Sequence, residues 1–529
     1  MAGFSRERRL AHSPVRVRNV GTMLKWRWFV CFCLLAGGCE RTAPLPDDVP
    51  SNTPRLRELD FTPFADALDR VGSRRLAEVD ALVRGGGIAE VRQALDAGRV
   101  TSEELTLYFL DRIRRHDGAL RSYLELNPEA LDEARAADRF RAGGGGADRP
   151  MLGIPVSVKD NIATAPPMHT TAGAEILLDH VADRDAAVVV RLREAGAVIL
   201  GKASLSELAG LLTSEPPGAN AVGGRGVNPY RADLPVSGSS SGSTVAVSAY
   251  LAMASIGTET SGSLISPGSS NGVVAMKPSR GVVSPDGILP LVRFQDSAGP
   301  VARTVRDAAI LLSAIDEGGT DYAAALDADA LAGVAVGVLR DPGDAELWHD
   351  RIIEGLAKAG ARPLEIGDRL GGGPALMPVV FLGLSRDTVP ALVAAGAPVR
   401  TLADLQAYNL ADPARRIPLG QNLVDEAVRF LDAVVADTGI PEEELGPLYE
   451  SAALRARERA GEVLSAAFEE NGVGLLASLG NSHSVLYATA GYPAITVPLG
   501  LDAGGAPEGV TFIARPGEDA KLLGYAYAF

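Results

Sequence analysis

The chain has 529 residues, 46% of them hydrophobic and 22% charged. That is a globular composition, so a wholly disordered chain is excluded, and the length allows one large domain or about three ordinary ones. A formal charge of −15 is the wrong sign for a protein that grips phosphates, and no nucleic-acid partner is expected.

The N-terminus reads as a targeting segment. From Met23 the sequence is MLKWRWFVCFCLLAGGCE. Lys25 and Arg27 make a short positive region, Trp28 to Ala36 an apolar one, and Gly37-Gly38-Cys39 a small-residue cleavage site. The apolar run is too short to span a bilayer. The ending AGGC resembles the bacterial lipobox, although Ala36 stands where Leu is more usual. The expectation is a signal peptide over 1–39, with translation starting at Met23 and a lipid on Cys39. Glu40 after the cysteine is not the Asp linked to inner-membrane retention, so a periplasmic protein anchored to the outer membrane is expected. The plainer alternative is an uncleaved tail. Cys31, Cys33 and Cys39 are the only cysteines, so nothing after residue 39 can form a disulfide or a thiolate metal site. Residues 40–60, rich in Pro, Asp and Thr, read as a linker.

Helical patterning runs from there to about residue 143. Thr101-Ser102-Glu103-Glu104 is a T-x-x-E capping box ahead of an amphipathic run. The glycines 143–146 read as a surface loop. From residue 150 short apolar strands alternate with helices. Ile154–Val158, Ala197–Leu200, Val334–Leu339, Gly474–Ala477, Ala494–Pro498 and Gly509–Ile513 are the strands, and Ala186–Ala195 is one of the helices. That alternation predicts an α/β fold with one large sheet. No linker after residue 60 separates domains, so 61–529 reads as a single domain. Residues 366–450 have the weakest periodicity and are expected to form a cap or subdomain.

Few residues remain that can carry chemistry. His116, His169, His180, His349 and His483 follow the signal segment without H-x-x-x-H or H-E-x-x-H spacing, so no zinc site is expected. No nucleotide-binding fingerprint is present, and no cofactor is expected. The unusual stretch is 237–271, SGSSSGSTVAVSAYLAMASIGTETSGSLISPGSSN, dense in Gly and Ser yet enclosing a small-residue helix pattern from Thr244 to Met253. A serine-rich surface loop is the plainer reading of it. Gly238 to Gly242 also fits the G-x-S-x-G nucleophile elbow, which would make Ser240 the nucleophile with His483 as its base. The two prolines of NPYRADLPVS leave no room for the strand that an elbow requires. Lys159 closes the apolar run GIPVSVK. It either snorkels to solvent or, if buried beside hydroxyls, loses its proton and becomes a base.

Together these segments resemble the amidase-signature family. The Gly/Ser block, Gly257-Thr258-Glu259-Thr260-Ser261-Gly262-Ser263 and Gly272-Val273-Val274-Ala275-Met276-Lys277 match its long diagnostic block. Gly153–Asn161 matches its lysine motif. Gly201–Glu207, Asn228-Pro229-Tyr230, Asp296–Pro300 and Gly491–Pro498 are further landmarks in the family's order. The resemblance runs from about residue 85 to the end. Within the family it leans towards bacterial peptide amidases.

The resemblance implies a large mixed central sheet covered by helices on both faces. It implies amide hydrolysis through a serine acyl-enzyme, on small-molecule or peptide amides and with no metal. Lys159 would be the base, Ser239 the bridging serine after a cis peptide, and Ser263 the nucleophile. Ser240 would be a supporting serine, and the backbone N–H groups of Thr260, Ser261, Gly262 and Ser263 the oxyanion hole. Ser261 stands where many members have Gly, Ile265 where Arg is common, and Ser478-Leu479 where Pro-Thr is usual. The family's last helix normally runs on past Phe529, which suggests a C-terminal truncation. Two alternatives stay open: the amidase subunit of a tRNA-dependent amidotransferase, and a non-catalytic lipoprotein that keeps the fold for binding.

Overall fold

A computed structural model describes residues 55–212, 216–340, 344–367, 370 and 373–529. The expected signal peptide, Cys39 and most of the expected linker lie outside the described residues. Its last residues do not behave as a linker. The Arg55 guanidinium donates to both the carbonyl and the buried carboxylate of Asp117, each at 2.9 Å, and the Leu56 N–H donates to the Val222 carbonyl. Arg57 pairs with Glu125 at 3.2 Å. The boundary expected at residue 60 therefore falls before residue 55, because two arginines there find buried or half-buried carboxylates.

Helices dominate residues 65–142, interrupted by one strand over Tyr123–Leu126. The longest, Ser102–Leu120, opens with the expected capping box: Thr101 Oγ1 accepts from the Glu104 N–H, and the Glu104 carboxylate accepts from the Thr101 N–H. Both groups would otherwise be orphaned at the first turn.

The strands are β1 (Tyr123–Leu126), β2 (Pro155–Lys159), β3 (Val198–Ala203), β4 (Ala219–Asn220), β5 (Gly224–Arg225), β6 (Ala254–Glu259), β7 (Val274–Lys277), β8 (Ser297–Ala302), β9 (Ala335–Leu339), β10 (Arg362–Gly367), β11 (Leu475–Leu479), β12 (Ala494–Leu501) and β13 (Pro507–Ile513). Eleven of them form one sheet in the order β1-β3-β2-β6-β8-β7-β12-β13-β11-β9-β10, and β4 and β5 form a separate ribbon. The sheet is mixed. β2 lies parallel to both β3 and β6, and β9 is parallel to β10 and β11, while the stretch from β6 through β13 to β11 is antiparallel.

Both faces of the sheet are covered. Every residue of β2, β3, β6, β7, β8 and β9 is buried. Alternation then sorts the side chains. Val336 and Val338 join the main core with Leu475, Ile495 and Phe512, whereas Ala335 and Leu339 join a second core with Leu476, Ala494 and Ile513. Helices 305–315 and 519–528 supply the first core, and helices 446–471 and 484–490 the second.

Residues 376–456 form the expected cap. The helix Leu376–Gly383 runs through a π turn, Leu384–Thr388, into Val389–Ala394, and packs with Leu402–Ala411, Asn422–Thr438 and the first half of Gly446–Asn471. Their apolar residues share a cluster with Leu208, Leu211, Val292 and Phe294 of the sheet's loops. The first cap helix, Leu376–Gly383, is apolar nearly all round and shows no helical stripe, whereas Asn422–Thr438 keeps one, with Val424, Ala427 and Leu431 on its buried side.

One expected element is corrected. The helix expected over Thr244–Met253 is Ser241–Ser248. Tyr250 then turns the chain at φ +57°, and Leu251 to Met253 lead straight into β6. Those three residues continue the apolar pattern because they are buried in the main core and not because they are helical.

Candidate active site

Lys159 is the last residue of β2 and has no exposed surface. Parallel pairing with β6 sets its side chain against Thr258. Its Nζ lies 2.8 Å from Ser239 Oγ, 2.9 Å from Thr258 Oγ1 and 3.1 Å from the Thr258 carbonyl oxygen. The Asn161 amide also donates to Thr258 Oγ1, at 3.1 Å, and so holds that hydroxyl in place. Burial pushes Lys159 down to about 7, against the opposing pull of the Asp296 and Glu259 charges. Among the described residues no carboxylate forms an ion pair with it. The other two buried lysines are occupied differently. Lys202 bonds the Ile162 carbonyl and the hydroxyls of Thr164 and Thr170, with Asp160 at 3.5 Å. Lys277 donates to the carbonyls of Pro278 and Tyr492.

The Gly238–Ser239 peptide is cis, as the resemblance implied. The Ser239 carbonyl accepts from the Ser206 N–H at 3.0 Å. Ser240 points elsewhere: its hydroxyl donates to the Thr258 carbonyl at 2.9 Å and accepts from the Thr258 N–H at 3.2 Å. Its N–H donates to the Ser263 carbonyl at 3.0 Å. Ser240 is thus a tie between β6 and the loop carrying Ser263, and its hydroxyl is consumed by strand backbone. The G-x-S-x-G reading with Ser240 as nucleophile fails on that bonding and on the absence of a strand before Gly238. Gly242 is needed for packing, since a Cβ there would sit 2.3 Å from the Ser204 nitrogen and 2.4 Å from the Ser122 carbonyl oxygen.

Residues 260–264 link β6 to the short helix Ile265–Ser270. Gly262 holds φ +80° in this turn. The Glu259 carboxylate accepts from the N–H groups of Leu264 and Ile265, at 2.8 and 3.1 Å, and fixes where the helix starts. Among the described residues no hydrogen bond uses the N–H groups of Ser261, Gly262 or Ser263. The Ser263 side chain is half-buried. The loop is braced from behind by two residues. Gln295 Nε2 donates to the Thr260 carbonyl at 2.6 Å, and Thr260 Oγ1 donates to Asp296 Oδ1 at 2.5 Å. Asp296 Oδ2 accepts from the N–H groups of Leu291 and Val292. Burial pushes the Asp296 carboxyl up to about 7. On the other side, Ser261 Oγ is 3.4 Å from Ser484 Oγ, and a Cβ on Gly262 would meet Asn481 Nδ2 at 2.8 Å. His483 is adjacent, as the N-cap residue of the helix Ser484–Ala490.

The structure therefore brings Lys159, Ser239, Ser240 and the loop Thr260–Ser263 into one site. Thr258, Asn161, Gln295 and Asp296 belong to it too, although sequence reasoning assigns them no role. Their signal is membership of the motifs: Thr258 and Asn161 lie within the Gly257–Ser263 and Gly153–Asn161 segments, Asp296 opens the Asp296–Pro300 landmark and Gln295 precedes it. Among the described residues no group of three His, Cys, Asp or Glu is placed to hold a metal ion.

Comparison with known proteins agrees with this architecture. The sequence profile of the amidase family matches residues 104–352. An Arabidopsis thaliana protein named as a probable amidase is 37% identical, over 84% of this chain and 89% of that protein. The crystal structure of an amidase family protein from Bacillus anthracis superposes with a TM-score of 0.81 at 33% identity, over 88% of this chain and 95% of that one. The peptide amidase of Stenotrophomonas maltophilia superposes with a TM-score of 0.74 at 36% identity, over 84% and 96%.

Proposed function

The chain belongs to the amidase family, and from that premise we propose that it hydrolyses carboxamides through a Ser263 acyl-enzyme, with Lys159 and Ser239 relaying the proton. The observation that carries this is the bonding of Lys159. A neutral amine has two N–H bonds and one lone pair. Thr258 Oγ1 and the Thr258 carbonyl are placed to take the two hydrogens, which turns the lone pair to the Ser239 hydroxyl. Burial favours that neutral form near pH 7.

The reaction then balances as follows. Lys159 takes the Ser239 proton as Ser239 takes that of Ser263. Ser263 Oγ bonds to the carbonyl carbon, and the carbonyl electron pair moves onto oxygen as an oxyanion. The unengaged N–H groups of Ser261, Gly262 and Ser263 stabilise that oxyanion, with the Thr260 N–H completing the set. The C–N bond breaks, and the proton stored on Lys159 returns through Ser239 to the departing ammonia or amine. Water, deprotonated by the same relay, attacks the ester carbon and frees the acid and Ser263.

The preferred substrates in this reading are C-terminal peptide amides, on the likeness to the Stenotrophomonas peptide amidase. The test is ammonia release from a panel holding a peptide amide, a fatty amide, an aryl amide and the matching ester. Turnover lost in Ser263→Ala supports the reading. No turnover and no labelling of Ser263 by a fluorophosphonate would sink it in favour of a binding protein.

Export and lipid anchoring on Cys39 are part of the same proposal and rest on the sequence of residues 23–40 alone. Expression of the full chain in a Gram-negative host should give a membrane-associated protein that Cys39→Ala converts to a soluble one. Equal partition of the two forms would overturn it.

A further inference from the structure

Beside the loop Thr260–Ser263 a pocket opens between β6, β8 and the segment Pro290–Asp296, with Asn161, Thr258, Thr260, Leu291, Arg293 and Asp296 among its lining residues. Among the described residues Arg293 is the one basic residue that lines it, and it is exposed at the rim. Among the described residues no hydrogen bond or ion pair engages its guanidinium. Asp286, whose charge it feels, is held in a two-point pair by Arg184, at 2.7 and 2.9 Å. Asp296, the one carboxyl among the described lining residues, is also spoken for. Three donors occupy its oxygens, and burial drives it towards its neutral form.

The base of Arg293 is held rigidly. Its N–H donates to Asp387 Oδ2 at 2.8 Å, and the Tyr449 hydroxyl donates to the same oxygen at 2.6 Å. Thr388 Oγ1 donates to the Leu291 carbonyl at 2.7 Å. Asp387 and Thr388 lie in the π turn of the cap helix. Such turns concentrate at functional sites because they turn side chains off the regular helical positions. Here the turn sends a carboxylate and a hydroxyl to a loop whose other end braces Thr260. An arginine with a fixed base and a free planar fork, at the mouth of a pocket flanking the oxyanion loop, is fitted to read a carboxylate.

We propose that Arg293 selects the substrate: the preferred carboxamide carries a carboxylate a few bonds from its scissile carbonyl, and the Arg293 guanidinium pairs with it across this pocket. The proposal rests on the amide-hydrolysis reading, and its test is built to fail separately from that reading.

The test compares the α-amide of N-acetylglutamic acid with N-acetylnorvalinamide, which has a side chain of similar length without the carboxylate. The enzymes are the wild type and Arg293→Gln. The wild type should favour the acidic amide in kcat/KM by about tenfold, the size of a charge-assisted pair. Arg293→Gln should lose that preference while turning over the neutral amide within about twofold of the wild type, as no contact in the reacting centre is touched. A wild type without acid preference, or a preference that survives in Arg293→Gln, overturns the proposal. The same two amides are also tested as protectants of Ser263 against a fluorophosphonate. Stronger protection by the acidic amide, abolished in Arg293→Gln, supports the role of Arg293 even where neither amide is hydrolysed, in which case it is the hydrolytic reading that falls. Equal protection by both amides overturns the role of Arg293.

Discussion

Lys159 Nζ and Ser239 Oγ lie 2.8 Å apart although 80 residues separate them in the chain, and Lys159 has no exposed surface. A buried amine with a hydroxyl on its third side and no carboxylate partner is a base in waiting. Lys159→Ala is therefore expected to lower kcat/KM for amide hydrolysis by about 10²–10⁴-fold, the usual weight of general-base catalysis. Circular dichroism should show the same fold. Retention of activity within tenfold of the wild type would rule out the relay.

The pH profile follows from the sign of the Lys159 shift. The base works unprotonated, and burial has brought its pKa down to about 7. Below that value kcat/KM should fall about tenfold per pH unit, and above it a plateau is expected. The Asp296 charge raises the Lys159 pKa, so Asp296→Asn should move this limb to lower pH. A limb that stays put, or moves up, would separate the two groups.

In the proposed relay Thr258 would position the Lys159 amine. Thr258→Val keeps the shape and the carbonyl but removes the hydroxyl that bonds Lys159 and Asn161. Loss of one such bond corresponds to about a tenfold drop in kcat. KM should not change, and a changed KM with constant kcat would place Thr258 in substrate binding instead.

Gly262 sits at φ +80°, where an L side chain is strained, and its added Cβ would press on Asn481. Gly262→Ala should turn the loop N–H groups off the oxyanion and lower kcat by about 10²-fold, with little change in thermal midpoint. An enzyme of full rate would move the oxyanion site away from residues 261–263.

Lys202 tests the scaffold and not the chemistry. It is fully buried beside Asp160, whose carboxylate also accepts from Thr171. Lys202→Met leaves that buried carboxylate without its cation, a change worth about 3–5 kcal/mol of stability. Urea denaturation would measure it, and a loss under 1 kcal/mol would mean that Thr171 alone satisfies Asp160.

Much of this was readable from residues alone, where short-range chemistry decides. The capping box at Thr101 determined a helix start, and the apolar runs ending at Lys159 and Leu339 determined strands. The resemblance carried by the ordered motifs points to Lys159, Ser239 and Ser263, and the structure sets Lys159 against Ser239. The sequence pattern overstates the helix after Ser240, because Leu251 to Met253 are apolar for tertiary reasons: a buried approach to a strand looks like the last turn of a buried helix.

Other features exist only in three dimensions. The residues of GSSSG do not by themselves say which serine faces the lysine; only the family resemblance points to Ser239. The backbone path through Ser239 and Ser240 sends one hydroxyl to Lys159 and the next into the backbone of β6. Neither does the sequence show that Arg293 and Asp387, 94 residues apart, are joined by a hydrogen bond, nor that Asp296 braces Thr260. Local sequence sets the elements because backbone hydrogen bonding and burial periodicity act within a few residues. The site depends on β2 lying beside β6 and on a cap returning over the loop before β8. Those contacts join distant segments, and only the packed sheet decides them.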